Sequence, residues 1–517
     1  MKEQIRRGLA FFTAAALLGA AGCGEKPAEN PKPAAGAFLF ADYKDSFTGT
    51  GAIDSQGGRL DGSARTSKLE LELAESYSLL GRGLFEIELI STADISSLDI
   101  QFVTEEDPVY TSFKEFSLPV EKTAEARSFS IDLSDTYGWL GRLKGLRISA
   151  SGINEGEIRL RSFSVKEGGA HYLEGIQLSQ PEVYLPSRER MAKKILFGPD
   201  GIIGSWRDQQ NNLKFIGSAN SGLFCTTGTP DAPLETVNYS GLKVENVDWS
   251  VFGYCSVAQV VRNPSTGTLI GVTHLERHYT VPGGGKPYTA TLGLSISRDD
   301  GETWSFLGEC ISHDMTVGEK TEISRDIGNG AILMDDEYLY VYFVEVREEN
   351  QAYGLGVSRI ALDELYEATE KNEMPKAWKY KDGQWNEPGW EGEASNILPT
   401  GIVPNFMSLS YNTVLKKYLM VMCQSPYYSS NDGDILLMVS DDMLDWTQAK
   451  TQWLATGRNG EQYPTILGTG DSLQTETGSE FYIYWCSWYA FDEQGNSDWQ
   501  LLWGSADYVR QKVTIPG

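Results

Sequence analysis

From residue 37 to 168 apolar side chains recur at every second position. The runs "LFEIELIS", "SSLDIQFV", "SFSIDLS" and "EIRLRSFSVKE" all alternate in this way. Successive side chains of a strand point to opposite faces, so a period of two places one face in a core. Turn residues separate the runs and no helical period intervenes, which predicts an antiparallel, jelly-roll-like β-sandwich over 37–168. A connector, "GGAHYLEGIQLSQPEVYLPSRER", follows. From 190 to 517 the pattern becomes a longer repeat. A short strand leads through a turn to a strongly apolar second strand, then a polar or aromatic loop, a third strand, and a fourth with tryptophan or a similar anchor. The copies begin at "KKILFGPDGIIGSWRD", "SVAQVVRNPSTGTLIGVTHLE", "GAILMDDEYLYVYFVEV", "FMSLSYNTVLKKYLMVMC" and "YPTILGTG". Units that cannot bury their faces alone must pack on one another, and the chain reads as all-β, ending in a five-bladed β-propeller. A sixth blade stays open if 222–249 hides one.

The repeat says where chemistry would gather. In a propeller, the ends of second strands and the starts of first strands line a funnel around the axis. Read this way, blade one offers Trp206, Arg207 and Asp208, and blade two offers His274 and Glu276. Blade three offers Arg325 and Asp326 on entering and Glu345 on leaving. Blade four offers Asn405 and Gln424, and blade five offers Tyr463, Trp485 and Trp488. Crowded carboxylates repel one another at short range, so several acids on one face point to function rather than scaffold.

Charge narrows the partners. The chain carries 44 Lys+Arg against 71 Asp+Glu, a net −27, which disfavours nucleic acid and anionic membrane surfaces. A basic start, the apolar run "GLAFFTAAALLGAAG" and small residues before Cys23 have the layout of a leader over 1–22. "AAGC" resembles a bacterial lipobox, with Cys23 as the lipidated residue and 23–36 as a flexible tether. That resemblance implies an exported lipoprotein at the outer membrane or cell surface, touching the membrane through its lipid alone. The remaining five cysteines are odd in number and lack CxxC spacing, which excludes a zinc ribbon and a dense disulfide framework and leaves room for two pairs at most; Cys255, Cys423 and Cys486 sit in apolar runs, which predicts buried free thiols. No cofactor or metal site is expected, and the protein is expected to be a monomer. "VPGGGKP" lies between strands, so its glycines do not form a phosphate cradle.

Two resemblances sharpen the reading. "SRDDGETW", Ser297 to Trp304, resembles the Asp-box of sialidases, and Ser440 to Trp446 is a degenerate copy in blade four. Repetition in equivalent turns marks fold rather than chemistry. Through "GVTHLE", "AWKYKDGQWNEPGWEGEAS" and "SLSYNTVLKKYLMVM", the last two-thirds of the chain resembles the five-bladed propeller glycoside hydrolases of arabinanase, xylosidase and fructosidase type. That resemblance implies three carboxylates: an Asp of blade one, an Asp of blade two and a Glu of blade three. Asp208 stands for the first, although the family's Asp lies on a first strand. Blade two offers Glu276, and blade three offers Asp326 and Glu345. The reading this supports makes Asp208 and Asp326 the ionised members and Glu276 the acid. His274 and Arg325 position the sugar, while Trp206, Trp485 and Trp488 stack on it. The expected partner is a neutral or furanosidic polysaccharide or oligosaccharide, cleaved by acid/base chemistry. The alternative is a surface lipoprotein that binds glycan without cleaving it.

Overall fold

A computed structural model describes residues 37–516 apart from 106–107, 111–113, 135, 137, 170–172, 174, 196–198, 220–221, 237–240, 279–287, 314–326, 347–352, 400–401, 425–433, 456–460, 470–473 and 488–506. Residues 1–36, on which the expected leader, Cys23 and the expected tether fall, lie outside this range. The chain is all-β, a β-sandwich followed by a five-bladed propeller.

The sandwich follows from its alternation. Strand Leu84–Ser91 buries every second residue, and its inward Phe85, Ile87 and Leu89 meet Phe102, Phe116 and Trp139 from the facing layer. Two antiparallel sheets of six and five strands enclose this core.

Blade one has three strands: Gly204–Arg207, Leu213–Ala219 and Gly222–Thr227. Blade two spans Tyr254–Ile311, blade three Ile327–Pro388 and blade four Pro404–Ala455. Blade five is built on Glu461–Gly468, Glu480–Ser487 and Asp507–Thr514. Gly222–Thr227 is the outer strand of blade one, and no further strand of the described residues follows it before Tyr254, so no sixth blade forms. Separate apolar cores join one to two, two to three, three to four, four to five and five to one. The ring is therefore closed, and each blade buries both faces against its neighbours.

The connector is not merely a link. Gln177–Leu178 and Glu182–Leu185 pair antiparallel with Asp507–Thr514 and supply the outer edge of blade five. The ring thus starts before residue 190. No local pattern betrays this, because the partners are Glu182 and Arg510, far apart in sequence.

Two features shape the axis. The innermost strands of blades two to five each carry a register shift against the second strand, at Val257/Val260, Gly328/Ala331, Pro404/Phe406 and Gln462/Thr465. Each inserts one residue near the funnel end, which bends the strand and re-aims a side chain. Gln474 also ties blades one and two, its Nε2 donating to the carbonyls of Ser205 at 2.5 Å and Val260 at 2.8 Å.

The turn Ser297–Trp304 is a local network. Asp299 Oδ1 accepts from the Thr303 amide at 2.9 Å and from Ser297 Oγ at 2.8 Å. The Gly301 amide donates to Ser297 Oγ at 2.8 Å. Gly301 has φ +95°, and a Cβ there would lie 2.3 Å from the Trp206 ring, so both backbone and packing require glycine. Trp304 is fully buried between blades one and two, and Trp446 between blades three and four.

Candidate active site

The funnel end of the propeller is where first strands begin and second strands end. In blade two, strand Leu269–His278 sends His274, Glu276 and His278 to one face, as alternation demands. His274 Nε2 lies 3.2 Å from Glu276 Oε1 and His278 Nε2 lies 2.8 Å from Oε2. Tyr254, which starts the first strand, is the cross-strand partner of Glu276, and its ring stands edge-on to His274 at 5.9 Å.

Opposite them, just before the first strand of blade one, sits Asp200. Its amide donates to the Ser218 carbonyl at 2.8 Å, which fixes the turn Pro199–Asp200–Gly201 against the end of the second strand. The Tyr254 hydroxyl lies 3.0 Å from Asp200 Oδ2 and 2.6 Å from Ser218 Oγ. The Tyr463 hydroxyl also hydrogen-bonds the Asp200 carboxyl. Tyr463 occupies the bulge of blade five with φ 58°. A bulky residue in the left-handed region is costly and persists where the surroundings impose it. Phe406 packs against its ring at 4.4 Å.

The two carboxyls have opposite environments. Asp200 is half-buried. Desolvation pushes its carboxyl up to about 6, the charge of Glu276 adds to the rise, and the two tyrosine hydroxyls oppose it. Glu276 also suffers desolvation, but its two histidine partners outweigh this and bring it down to about 2. Burial lifts both tyrosines well above their ordinary value, so their hydroxyls remain donors.

Several residues expected in the funnel lie elsewhere. Gly204–Arg207 is the first strand of blade one, not the second, so Trp206, Arg207 and Asp208 emerge on the opposite face. Trp206 is buried against Trp304. The Arg207 carbonyl accepts from Arg262 at 2.7 Å. Asp208 closes a turn, its Oδ1 accepting from the Gln210 amide at 3.0 Å and the Asn212 amide at 2.7 Å. Next to it the Gln209 amide donates to Asp300 Oδ2 at 2.8 Å, so Asp208 shares a face with the Ser297–Trp304 turn. Trp485 is buried in the core between blades four and five and cannot stack on a sugar in the funnel.

His274, Glu276 and Tyr463 are brought together with Asp200. Glu345 is buried at the end of its strand, 3.6 Å from the fully buried Lys379 Nζ. Lys379 also donates to the carbonyls of Ser312 and Gly392, each at 2.6 Å. Asn405 and Gln424 are half-buried at their strand ends. Arg325, Asp326 and Trp488 lie outside the described residues.

Asp200, Tyr254, Ser218 and His278 were not legible as site residues. The signal for Asp200 was "GPDG", turn chemistry directly ahead of an innermost strand. Cys255, Cys310, Cys423 and Cys486 are buried free thiols, while Cys225 is a free thiol that is only half-buried.

No family model matches the chain, and no curated protein matches it. Among solved structures, the chain is similar to an N-acetylgalactosamine deacetylase from F. plautii in complex with blood group B trisaccharide. Identity is 12%, the TM-score 0.36, and the match covers 65% of this chain and 89% of that one. It is similar to an α-L-arabinanase of Penicillium chrysogenum complexed with arabinobiose, at 11% identity and TM-score 0.30, covering 66% and 98%. A low-affinity xylan-binding module from the gut symbiont Roseburia intestinalis matches at 13% identity and TM-score 0.20, covering 26% and 94%. Likenesses this distant assign neither substrate nor reaction to this chain.

Proposed function

We propose that the protein is a glycoside hydrolase acting on a neutral glycan in the propeller funnel. The observation that carries this is the convergence at the funnel end of two carboxyls in opposite settings, Asp200 held by the Tyr254 and Tyr463 hydroxyls and Glu276 held between His274 and His278. Glycosidic cleavage needs one carboxyl held protonated and another held ionised. Asp200 is the donor to the leaving oxygen, and Tyr254 and Tyr463 hold its carboxyl in place. Glu276, ionised between His274 and His278, stabilises the positive charge that develops on the sugar ring. Exported anchoring through Cys23 belongs to the same proposal, supported by the leader and tether. Loss of metabolic acyl labelling in Cys23→Ala checks it.

The test of the enzyme is release of reducing ends from a panel of neutral polysaccharides by the purified chain. Wild type is expected to act on at least one, with Asp200→Asn and Glu276→Gln each slowed at least about a hundredfold. Saturable binding with no cleavage of any glycan would instead make the funnel a binding site only.

A further inference from the structure

The hydroxyl chain that begins at Asp200 runs on behind the funnel. The Tyr254 hydroxyl lies 3.0 Å from Asp200 Oδ2 and 2.6 Å from Ser218 Oγ. Ser256 is a third side chain hydrogen-bonded to the same phenol. Ser218 is 3% exposed and Ser256 7% exposed, so both bonds are made away from solvent.

The number of protons fixes the direction of these bonds. A hydroxyl has one O–H to donate and two lone pairs to accept with. Tyr254 has three side-chain partners, so one of them takes its proton and the other two give theirs. A carboxyl oxygen that carries charge is a stronger acceptor than a serine hydroxyl. Asp200 therefore takes the phenolic proton, and both serines donate to the Tyr254 oxygen. The distances agree. Another acceptor near Ser218 Oγ is the Gly222 carbonyl, at 3.4 Å, and the Asp200 carbonyl is 3.4 Å from the Tyr254 hydroxyl. Both separations exceed the roughly 2.5–3.0 Å of an ordinary O–H···O bond.

We propose that Ser218 is a positioning residue of the funnel: by donating to the Tyr254 oxygen it commits the phenolic proton to Asp200. Asp200 as the proton donor is presupposed, and Ser218 acts on it only through Tyr254. When Asp200 gives its proton to the leaving oxygen, charge appears on a carboxyl toward which a donor is already turned, so little reorganisation is needed. The Ser218 bond also polarises the phenol and strengthens the bond that the phenol donates.

Other groups face Asp200 and stay in place when Ser218 is changed. Tyr463 hydrogen-bonds the same carboxyl from blade five, and Glu276 and His274 of blade two and Cys486 of blade five lie within electrostatic reach of it. The Ser218 backbone carbonyl, which accepts from the Asp200 amide at 2.8 Å, is retained in Ser218→Ala. The turn that carries Asp200 therefore keeps its anchor.

The experiment is a pH titration of the full chain labelled with carbon-13 at its aspartate carboxyls, read by NMR without substrate. The Asp200 signal is the one lost in Asp200→Asn. Ser218→Ala is expected to move its midpoint upward, by less than Tyr254→Phe does, and Ser256→Ala is expected to move it the same way. Added to Tyr254→Phe, Ser218→Ala is expected to move it no further. On a cleaved glycan, Ser218→Ala is expected to lower kcat about two- to tenfold, the worth of one hydrogen bond, with KM held within about twofold. An unmoved midpoint would overturn the proposal, as would one that moves downward because Ser218 had been taking the phenolic proton. So would a shift that persists in the Tyr254→Phe background, since Ser218 would then act by another route. The titration requires no turnover, so failure to cleave any glycan would overturn the hydrolase alone.

Discussion

The Tyr254 hydroxyl stands between Asp200 Oδ2, at 3.0 Å, and Ser218 Oγ, at 2.6 Å. One phenol from blade two thereby holds a carboxyl and a hydroxyl that both belong to blade one. Their relative position is set by how two blades pack, not by a single loop. Tyr463 approaches the same carboxyl from blade five, so three blades converge on Asp200.

The pH dependence of cleavage follows from that environment. With Asp200 as the proton donor, kcat/KM is expected to be high below about 6 and to fall as pH rises through that value. A rate that instead rises through the same value would make Asp200 the base. Steady-state kinetics across the acid and neutral range decide between them.

Tyr463→Phe removes a donor to Asp200 and keeps the ring that packs on Phe406. A hydrogen bond to a charged group is worth about 1.5–3 kcal/mol, or roughly one to two pKa units. The loss disfavours the ionised carboxyl, so the descending limb of the pH profile is expected to move upward. Tyr254→Phe is expected to move it the same way. An unmoved limb would detach both tyrosines from Asp200.

Glu276 makes a stability prediction with a fixed sign. Its folded carboxyl sits at about 2, below its ordinary 4.5, so the folded state favours the ionised form. That contribution is fully present above 4.5 and is lost as pH falls through about 2. Denaturant titrations at pH 7 and pH 3 should show a smaller acid-induced loss in Glu276→Gln than in wild type.

Asp208 provides the contrast. It lies in a turn on the opposite face, so Asp208→Asn is expected to leave kcat/KM within about twofold, the range of substitutions away from special features. A hundredfold loss would return Asp208 to the chemistry.

Trp304 is fully buried between blades one and two. Trp304→Ala is expected to cost about 3–5 kcal/mol of stability while the surviving folded fraction keeps the pH profile of wild type. Differential scanning calorimetry and kinetics on the same sample check both halves.

What could be read in advance, and what could not, has physical causes. The apolar second strands of blades two to five gave their ends correctly, which placed Glu276 and His274 beside Tyr463. Blade one misled because Ile202 and Ile203, directly ahead of its innermost strand, give that segment the apolar look of a second strand. An innermost strand is also buried on both faces, so hydrophobicity does not tell the two apart. Reading it one strand late moved the expected acid from Asp200 to Asp208, across the whole thickness of the blade. Trp485 failed for a simpler reason. Alternation sends Tyr484 and Cys486 to one side of the blade and Trp485 to the other, into the next interblade core. The outer strand of blade five was invisible because its pairing joins the two ends of the propeller.

That pairing decides how the sandwich is joined to the ring. Arg510 Nε donates to Glu182 Oε1 at 2.7 Å within the strand pair that fastens the ring, and the chain runs from this pair straight into the sandwich. The rim of blade five is therefore the first part of the propeller that the chain meets on leaving the sandwich. Two further strands, Asp507–Thr514 and Glu480–Ser487, separate that rim from the innermost strand that carries Tyr463.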